Sequence, residues 1–218
     1  EFVGGAPGYR VEASAGRAQI LAEVGRREEA EALLARLVAT FPDRDEPLYA
    51  RAIVAEGARH GLAHCGYHAL NSLRIEKAYR EWAHDIGPDD SPLVSGLQFT
   101  CAWDKAGGFL GLEALRRDKS LGVAKRRLVQ FLLEDPDAFV YHNEPIFRDG
   151  EQVGFVTSAG YGHTLGGCVA MGYVGHAAGA SDDFVQSGRY EIQLPRRRCP
   201  ARPSLRPLYD PGNLRIRR

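Results

Sequence analysis

Apolar positions along this chain keep two rhythms. Up to about residue 82 they recur at three- and four-residue spacing, and after Pro92 they recur at every second residue. The first rhythm predicts helices. The run "ASAGRAQILAEVGRREEAEALLARLVATFP" is rich in Ala, Leu, Glu and Arg, is broken at Gly25, and stops at Pro42. Its second half carries Ala30, Leu33, Leu34, Leu37 and Val38 at helical spacing. A second helix is expected from Pro47 to His60, with Asp45 as N-cap and Pro47 in the first turn. A third is expected from Ala69 to Trp82. There Asn71, Ile75, Ala78, Tyr79 and Trp82 share a face, Leu70 and Leu73 widen it, and Glu76 and Arg80 form an i,i+4 pair on the remainder. So broad a stripe predicts a helix wedged between two partners. The acid-, Gly- and Pro-rich "AHDIGPDDSPL" then turns the chain toward the next element.

The second rhythm predicts strands. "GLQFTCAW" would place Leu97, Phe99, Cys101 and Trp103 on one side. After a short helix from Leu112 to Lys119 come "RRLVQFLL" as a buried strand and "EPIFRDGEQVGFVTS" as a hairpin turning at Asp149-Gly150. "GGCVAMGYV" and "RYEIQLP" follow, with Tyr190, Ile192 and Leu194 inward. The fold class is therefore α+β: a partial α/β piece, then a small antiparallel β-barrel, with the boundary near Arg117–Val123. The expected domains are a divergent helical segment at 1–47, a partial subdomain at 48–118 and the barrel at 119–218.

Charge changes this picture little. There are 28 basic and 28 acidic residues, so no general nucleic-acid partner is expected. From Arg189 onward nine Arg face two acids, an excess of +7 that leaves −7 on the rest of the chain. A solvated tail or a docking face for an acidic neighbour accounts for it. No run of 18 apolar residues predicts a membrane span, and no membrane partner is expected. Cys65, Cys101, Cys168 and Cys199 contain no C-x-x-C pair, so reduced, buried thiols in a cytoplasm-like compartment are expected. The chain opens at Glu1 without Met, and is expected to be a piece of something longer.

Several motifs invite chemistry and fall short of it. His60, His64 and His68 have helical i, i+4, i+8 spacing, but Gly61 and Gly66 interrupt them and no H-E-x-x-H occurs, so no metal site is expected. In "SAGYGHTLGG" the glycines miss G-x-G-x-x-G by one position, and a strand follows where a phosphate loop needs a helix N-terminus. A turn packed against other backbone explains it better. Asp85, Asp89 and Asp90 fit no EF-hand spacing, and serve better as loop and Asx-turn acids. G-x-S-x-G is absent, and no thiol has the surroundings of a nucleophile. Residues 18–42 are similar to one tetratricopeptide helix pair, but no second copy appears.

The long segment "GYHALNSLRIEKAYREWAHDIGPDDSPLVSGLQF", followed by "GGFLGLEAL" and "VGFVTSAGYGHTLGGCVAMGYV", resembles the aminomethyltransferase family. That family includes the glycine-cleavage T-protein and the C-terminal, folate-binding regions of dimethylglycine and sarcosine dehydrogenase-like flavoproteins. "SLRIEKAYREW" and the Tyr161-Gly162-His163 turn lean toward the dehydrogenases, and "RYEIQLPRRRCPARPSLRPLYDPGNLRIRR" resembles the family's C-terminal end. The resemblance runs from about Leu48 to Arg218. It implies tetrahydrofolate as ligand, and one-carbon transfer from an oxidised N-methyl amine to give 5,10-methylenetetrahydrofolate. FAD is implied only for a separate N-terminal domain or subunit, and the compartment is the cytoplasm, or the mitochondrial matrix if the source is eukaryotic. By the same resemblance Phe99 would lie against the folate, while Trp82 and Asp85 would stand on the substrate-side loop. Arg74 and Glu76 would fix the helix and loop.

The departures are specific. "FVGGAPGY" carries Gly5 where the family has a pterin-binding acid, Leu70 stands where the T-protein has a folate-contacting Arg, and residues 10–47 do not follow the family. No catalytic residue is assigned within the chain, and little or no catalysis is expected from it alone. Two other readings remain open on the sequence: a non-catalytic interaction module that kept the fold, and a glycine-cleavage aminomethyltransferase.

Overall fold

The computed structural model describes residues 27–40, 54, 57, 58 and 60–215. The chain divides into two compact units, Glu1–Leu70 and Asn71–Arg218. In the first, α1 spans Arg27–Thr40, in agreement with the second half of the long Ala/Leu/Glu/Arg run. The first half of that run, and most of the helix expected at 47–60, lie outside the described residues.

The second unit is built on a closed six-stranded antiparallel barrel, ordered β1-β4-β3-β2-β5-β6. Its strands are β1 Arg126–Leu133, β2 Pro145–Arg148, β3 Glu151–Gly162, β4 Gly167–Gly175, β5 Tyr190–Leu194 and β6 Arg197–Ser204. Closure removes every free edge, because β1 pairs with both β4 and β6. The β2–β3 turn has Asp149 at φ 52 and Gly150 at φ 92. Two successive positive φ values make the primed turn that matches strand twist, as Asp-Gly predicts. Tyr190, Ile192 and Leu194 point into the core with Val129, Phe131 and Leu133.

Strand β1 is buried on both faces. Its other side, through Leu128 and Leu132, packs with Val169, Met171, Ile75 and Ala78 in a second cluster outside the barrel. That double burial is why "RRLVQFLL" shows an apolar run instead of alternation. Ile75 belongs to α2, Tyr67–Glu76, and Ala78 lies just past its end. Two further helices, α3 Leu112–Ser120 and α4 Asp182–Ser187, complete the unit. The Ser181 hydroxyl caps α4 by accepting the Phe184 N–H.

Three expectations are corrected. First, α2 stops at Glu76 and does not reach Trp82. The Ala78 N–H donates to the Ile75 carbonyl, and the Tyr79 N–H donates to the Arg74 carbonyl. With Ala78 at φ 53, this is a Schellman stop in which alanine takes the position usually given to glycine. Consequently Glu76 and Arg80 form no helical pair, and the expected apolar face splits: Ile75 and Ala78 are buried, while Leu73, Tyr79 and Trp82 are exposed. Second, "GLQFTCAW" forms no strand. Gln98–Thr100 is a single 3-10 turn, followed by further turns. Alternation over so short a run also suits a turn with one side on solvent, and among the described residues no strand pairs with it. Among the described residues before Arg126, strand-like pairing is confined to the isolated Trp82–Ile86 bridge. Third, part of the Arg-rich C-terminal stretch belongs to the barrel, since Arg197, Arg198 and Arg202 lie in β6 and are exposed there. Arg197 pairs with Asp135, and Arg198 lies over the Phe147 ring. All four cysteines are free; Cys168 and Cys199 are buried, but Cys65 is exposed and Cys101 half-buried.

Candidate functional site

The segment from Asn71 to Thr100 is held on the barrel by charged side chains turned inward. Arg74 is the hub. Its guanidinium donates to Asp85 Oδ2 at 2.8 Å, Glu81 Oε2 at 2.7 Å, the Ser158 hydroxyl at 3.0 Å and the Tyr79 carbonyl at 3.1 Å. Five N–H groups in a rigid fork let one Arg gather partners from the helix end, the loop and strand β3. Asp85 is 1 % exposed. Besides Arg74 it accepts the Glu81 N–H at 2.9 Å and the Thr157 hydroxyl. Thr157 and Ser158 reach this pair because β3 slips register against β4 between Val156 and Ser158. A β-bulge of this kind re-aims side chains off the regular pleat.

A second tie runs through Glu76, also 1 % exposed. Its Oε1 accepts the backbone N–H of Thr164 at 2.6 Å and of Leu165 at 3.1 Å, and so pins the β3–β4 turn. The Ser72 hydroxyl donates to the Tyr161 carbonyl at the same turn. The turn therefore packs against a side-chain carboxylate. It offers two N–H groups, as an anion site would, and both are already taken.

Three further ties complete the frame. The Gln130 amide, in the middle of β1, donates to the Ile75 carbonyl and accepts the Leu208 N–H at 2.9 Å. The Lys77 ammonium donates to the Asp210 carbonyl and to Asn213 Oδ1, each at 2.8 Å. Arg80 donates to the Ser95 carbonyl at 3.0 Å. Burial pulls its guanidinium below the ordinary arginine range, with Asp85 offsetting part of the effect.

The three residues expected to meet folate differ sharply in placement. Phe99 is 79 % exposed and Trp82 64 % exposed, so both rings are open to a ligand. Asp85 is not: its carboxylate is enclosed and fully engaged, so it holds the loop that carries Trp82. Nothing brings the Asp85 carboxylate to the surface beside the two rings. A cavity of about 640 Å³ is lined by Thr100, Cys101, Lys105, Phe109, Asp89 and Asp118 of α3. Asp89 is exposed, whereas Asp90 is tied to Arg126 at 2.7 Å and to the Gly87 N–H at 2.8 Å. No group of three or more His, Cys, Asp or Glu side chains converges on a metal-sized centre among the described residues.

Sequence reasoning missed Thr157, Ser158 and Gln130. The available signal was polarity out of place: a Gln within "LVQFLL", and a Thr-Ser pair interrupting an apolar strand.

Known proteins share this architecture. The description "GCVT N-terminal domain" matches residues 40–105, and "Glycine cleavage T-protein C-terminal barrel domain" matches residues 126–210. Human mitochondrial sarcosine dehydrogenase is 42 % identical over 173 residues, which cover 78 % of this chain and 18 % of that protein. The mitochondrial pyruvate dehydrogenase phosphatase regulatory subunit of Mus musculus is 35 % identical over 167 residues, 72 % of this chain and 19 % of that one. Among solved structures, the glycine cleavage system aminomethyltransferase T from Bartonella henselae aligns with a TM-score of 0.54 at 27 % identity. That alignment covers 63 % of this chain and 37 % of that one. The chain thus spans less than a fifth of the length of these two curated relatives.

Proposed function

From the premise that this chain belongs to the glycine-cleavage T-protein (aminomethyltransferase) family, we propose that it contributes part of a tetrahydrofolate site for one-carbon transfer. The one-carbon unit would come from an oxidised N-methyl amine, as in sarcosine or dimethylglycine dehydrogenase-like proteins. The observation that carries this reading is the combination of a rigid frame and two open rings. Arg74, Asp85 and Glu76 immobilise the segment, and Trp82 and Phe99 are left facing outward.

Bound tetrahydrofolate would supply the nitrogens that accept the one-carbon unit. The work of this chain's residues is positional. Phe99 and Trp82 offer flat apolar faces to a pterin or aminobenzoyl ring, where stacking excludes water. Arg74 and Asp85 keep the Trp82 loop from moving when the ligand arrives, which lowers the ordering cost of binding. The Asp85 and Glu76 carboxylates are already engaged and cannot meet the pterin N–H groups, so the fit is to the aromatic part of the ligand only. A flavin-binding domain or subunit would act as partner, in the mitochondrial matrix if the source is eukaryotic. The 35 % identity to a phosphatase regulatory subunit favours a second reading, a regulatory module that keeps the fold without the transfer chemistry.

Calorimetric titration of the chain with tetrahydrofolate tests the first reading. Saturable binding weaker than about micromolar is expected. Micromolar or tighter binding would refute the incompleteness of the pocket, and absence of saturable binding at millimolar ligand would leave only the regulatory reading.

A further inference from the structure

A second hollow lies at the barrel end formed by the β1–β2 connection and the β5–β6 turn. Its volume is about 330 Å³, and its lining is Phe139, Tyr141, Glu144, Leu194, Pro195 and two arginines. Val140 is 6 % exposed and anchors this connection in the barrel core. With Val140 inward, the residues on either side must project outward. Phe139 and Tyr141 accordingly stand 69 % and 60 % exposed. Their rings meet edge to face, with centroids 4.7 Å apart and planes at 87°. Two ordered aromatic rings on open surface present electron-rich faces that attract cations.

Charge of both signs lies at the same place. Glu144 is fixed by its own backbone, whose carbonyl accepts the Val156 N–H at 2.9 Å. Its Oε2 is buried and has no hydrogen-bond partner. A buried carboxylate oxygen without a donor is a rare and costly state, and calls for a cause. Of the two arginines, Arg197 is bound to Asp135 in an ion pair. Arg196 occupies the tip of the tight β5–β6 turn and is exposed. The hollow therefore combines one carboxylate oxygen lacking a donor, one exposed guanidinium and two rings between apolar walls.

We propose that this hollow binds a small zwitterion, with a primary or secondary ammonium group directed to Glu144 and the aromatic pair, and a carboxylate directed to Arg196. A lone cation would meet the exposed Arg196, and a lone anion would meet Glu144, so neither alone fits both charges. A quaternary ammonium would satisfy the rings but could not donate to the Glu144 oxygen. The site lies on the barrel, apart from Trp82 and Phe99, and does not depend on the folate reading.

Ligand-observed NMR on the full chain tests this with four probes. Glycine and 4-aminobutanoate hold the two charges at two spacings, and butylamine and butyrate carry one charge each. At least one zwitterion is expected to bind saturably in the millimolar range or tighter, about tenfold better than either single-charge probe. Glu144→Gln and Arg196→Ala should each weaken that binding about tenfold. Arg196 is on an exposed turn, so its removal leaves the fold intact and keeps the test meaningful if Glu144→Gln alters stability. No saturable binding, equal binding of the single-charge probes, or unchanged affinity in the Arg196→Ala variant would each overturn the proposal.

Discussion

The Glu76 carboxylate reaches from the end of α2 into the β3–β4 turn, where one oxygen accepts the Thr164 N–H at 2.6 Å and the Leu165 N–H at 3.1 Å. A charged side chain here does the work that a backbone partner does elsewhere. Replacing it uncovers two donors in a buried setting. Glu76→Ala is expected to destabilise the chain by about 3 kcal/mol, and Glu76→Gln by about 1–2 kcal/mol because an acceptor oxygen remains. Denaturant unfolding of the three proteins would show this order, and equal stability of wild type and Glu76→Ala would contradict it.

Asp85 and Arg74 form the other buried tie, and breaking one side of it strands the other charge. Asp85→Ala should cost about 3–5 kcal/mol. The same change should speed proteolysis of the loop around Trp82, because the Glu81 N–H loses its acceptor and the loop loses its tie to Thr157 at the same time. A loop that resists protease as well as wild type would mean that Arg80 and Ser95 hold it unaided.

Phe99 gives the opposite signature. At 79 % exposure its side chain contributes little to packing, so Phe99→Ala should change stability by no more than about 0.5 kcal/mol. If it stacks on folate, the same substitution should weaken tetrahydrofolate binding by about 1–3 kcal/mol, an estimate carried over from base–aromatic stacking. Calorimetry and thermal unfolding on one variant separate the two effects. A large loss of stability would place Phe99 among the residues that hold the fold.

Ala78 ends α2 in the left-handed region, at φ 53. Glycine there would relieve backbone strain of about 1–2 kcal/mol, against about 0.8 kcal/mol for the lost buried methyl and about 0.5–1 kcal/mol of chain entropy. Ala78→Gly is therefore expected to be close to neutral. Ala78→Val puts a β-branched side chain at positive φ in a packed site, and should cost about 2 kcal/mol or more. Chemical denaturation midpoints would rank the two.

Glu144 yields a pH dependence. Burial pushes its carboxyl above the ordinary glutamate range, and the Tyr141 backbone N–H offsets only part of this. The folded state therefore holds this proton more tightly than the unfolded state. The resulting stability is complete below the unfolded pKa and is lost as pH rises through the folded one. Glu144→Gln should accordingly be more stable relative to wild type at pH 7 than at pH 4. A difference that grows toward acid would reverse the assignment.

Much of this protein was written locally. The barrel strands followed from alternation and apolar runs, and the β2–β3 turn from Asp149-Gly150, because pleat and turn type depend on neighbours a few residues apart. Even the polar interruption at Gln130 was visible, though not its purpose. The length of α2 could not be read this way. Tyr79 and Trp82 continue its helical spacing, and only the Ala78 stop, fixed by packing on Leu128, Val169 and Met171, turns them out to solvent. The fate of the charges was equally hidden. In sequence Glu76 looks paired with Arg80, and Asp85 looks like a loop acid open to ligand. The nearest donors in space belong to Thr164, Leu165, Arg74 and Thr157, and the bulge in β3 that delivers Thr157 exists only once the barrel closes. Periodicity thus determined which segments form the barrel, while long-range hydrogen bonding decided which acids are buried as fasteners and which rings, Trp82 and Phe99, remain open to bind.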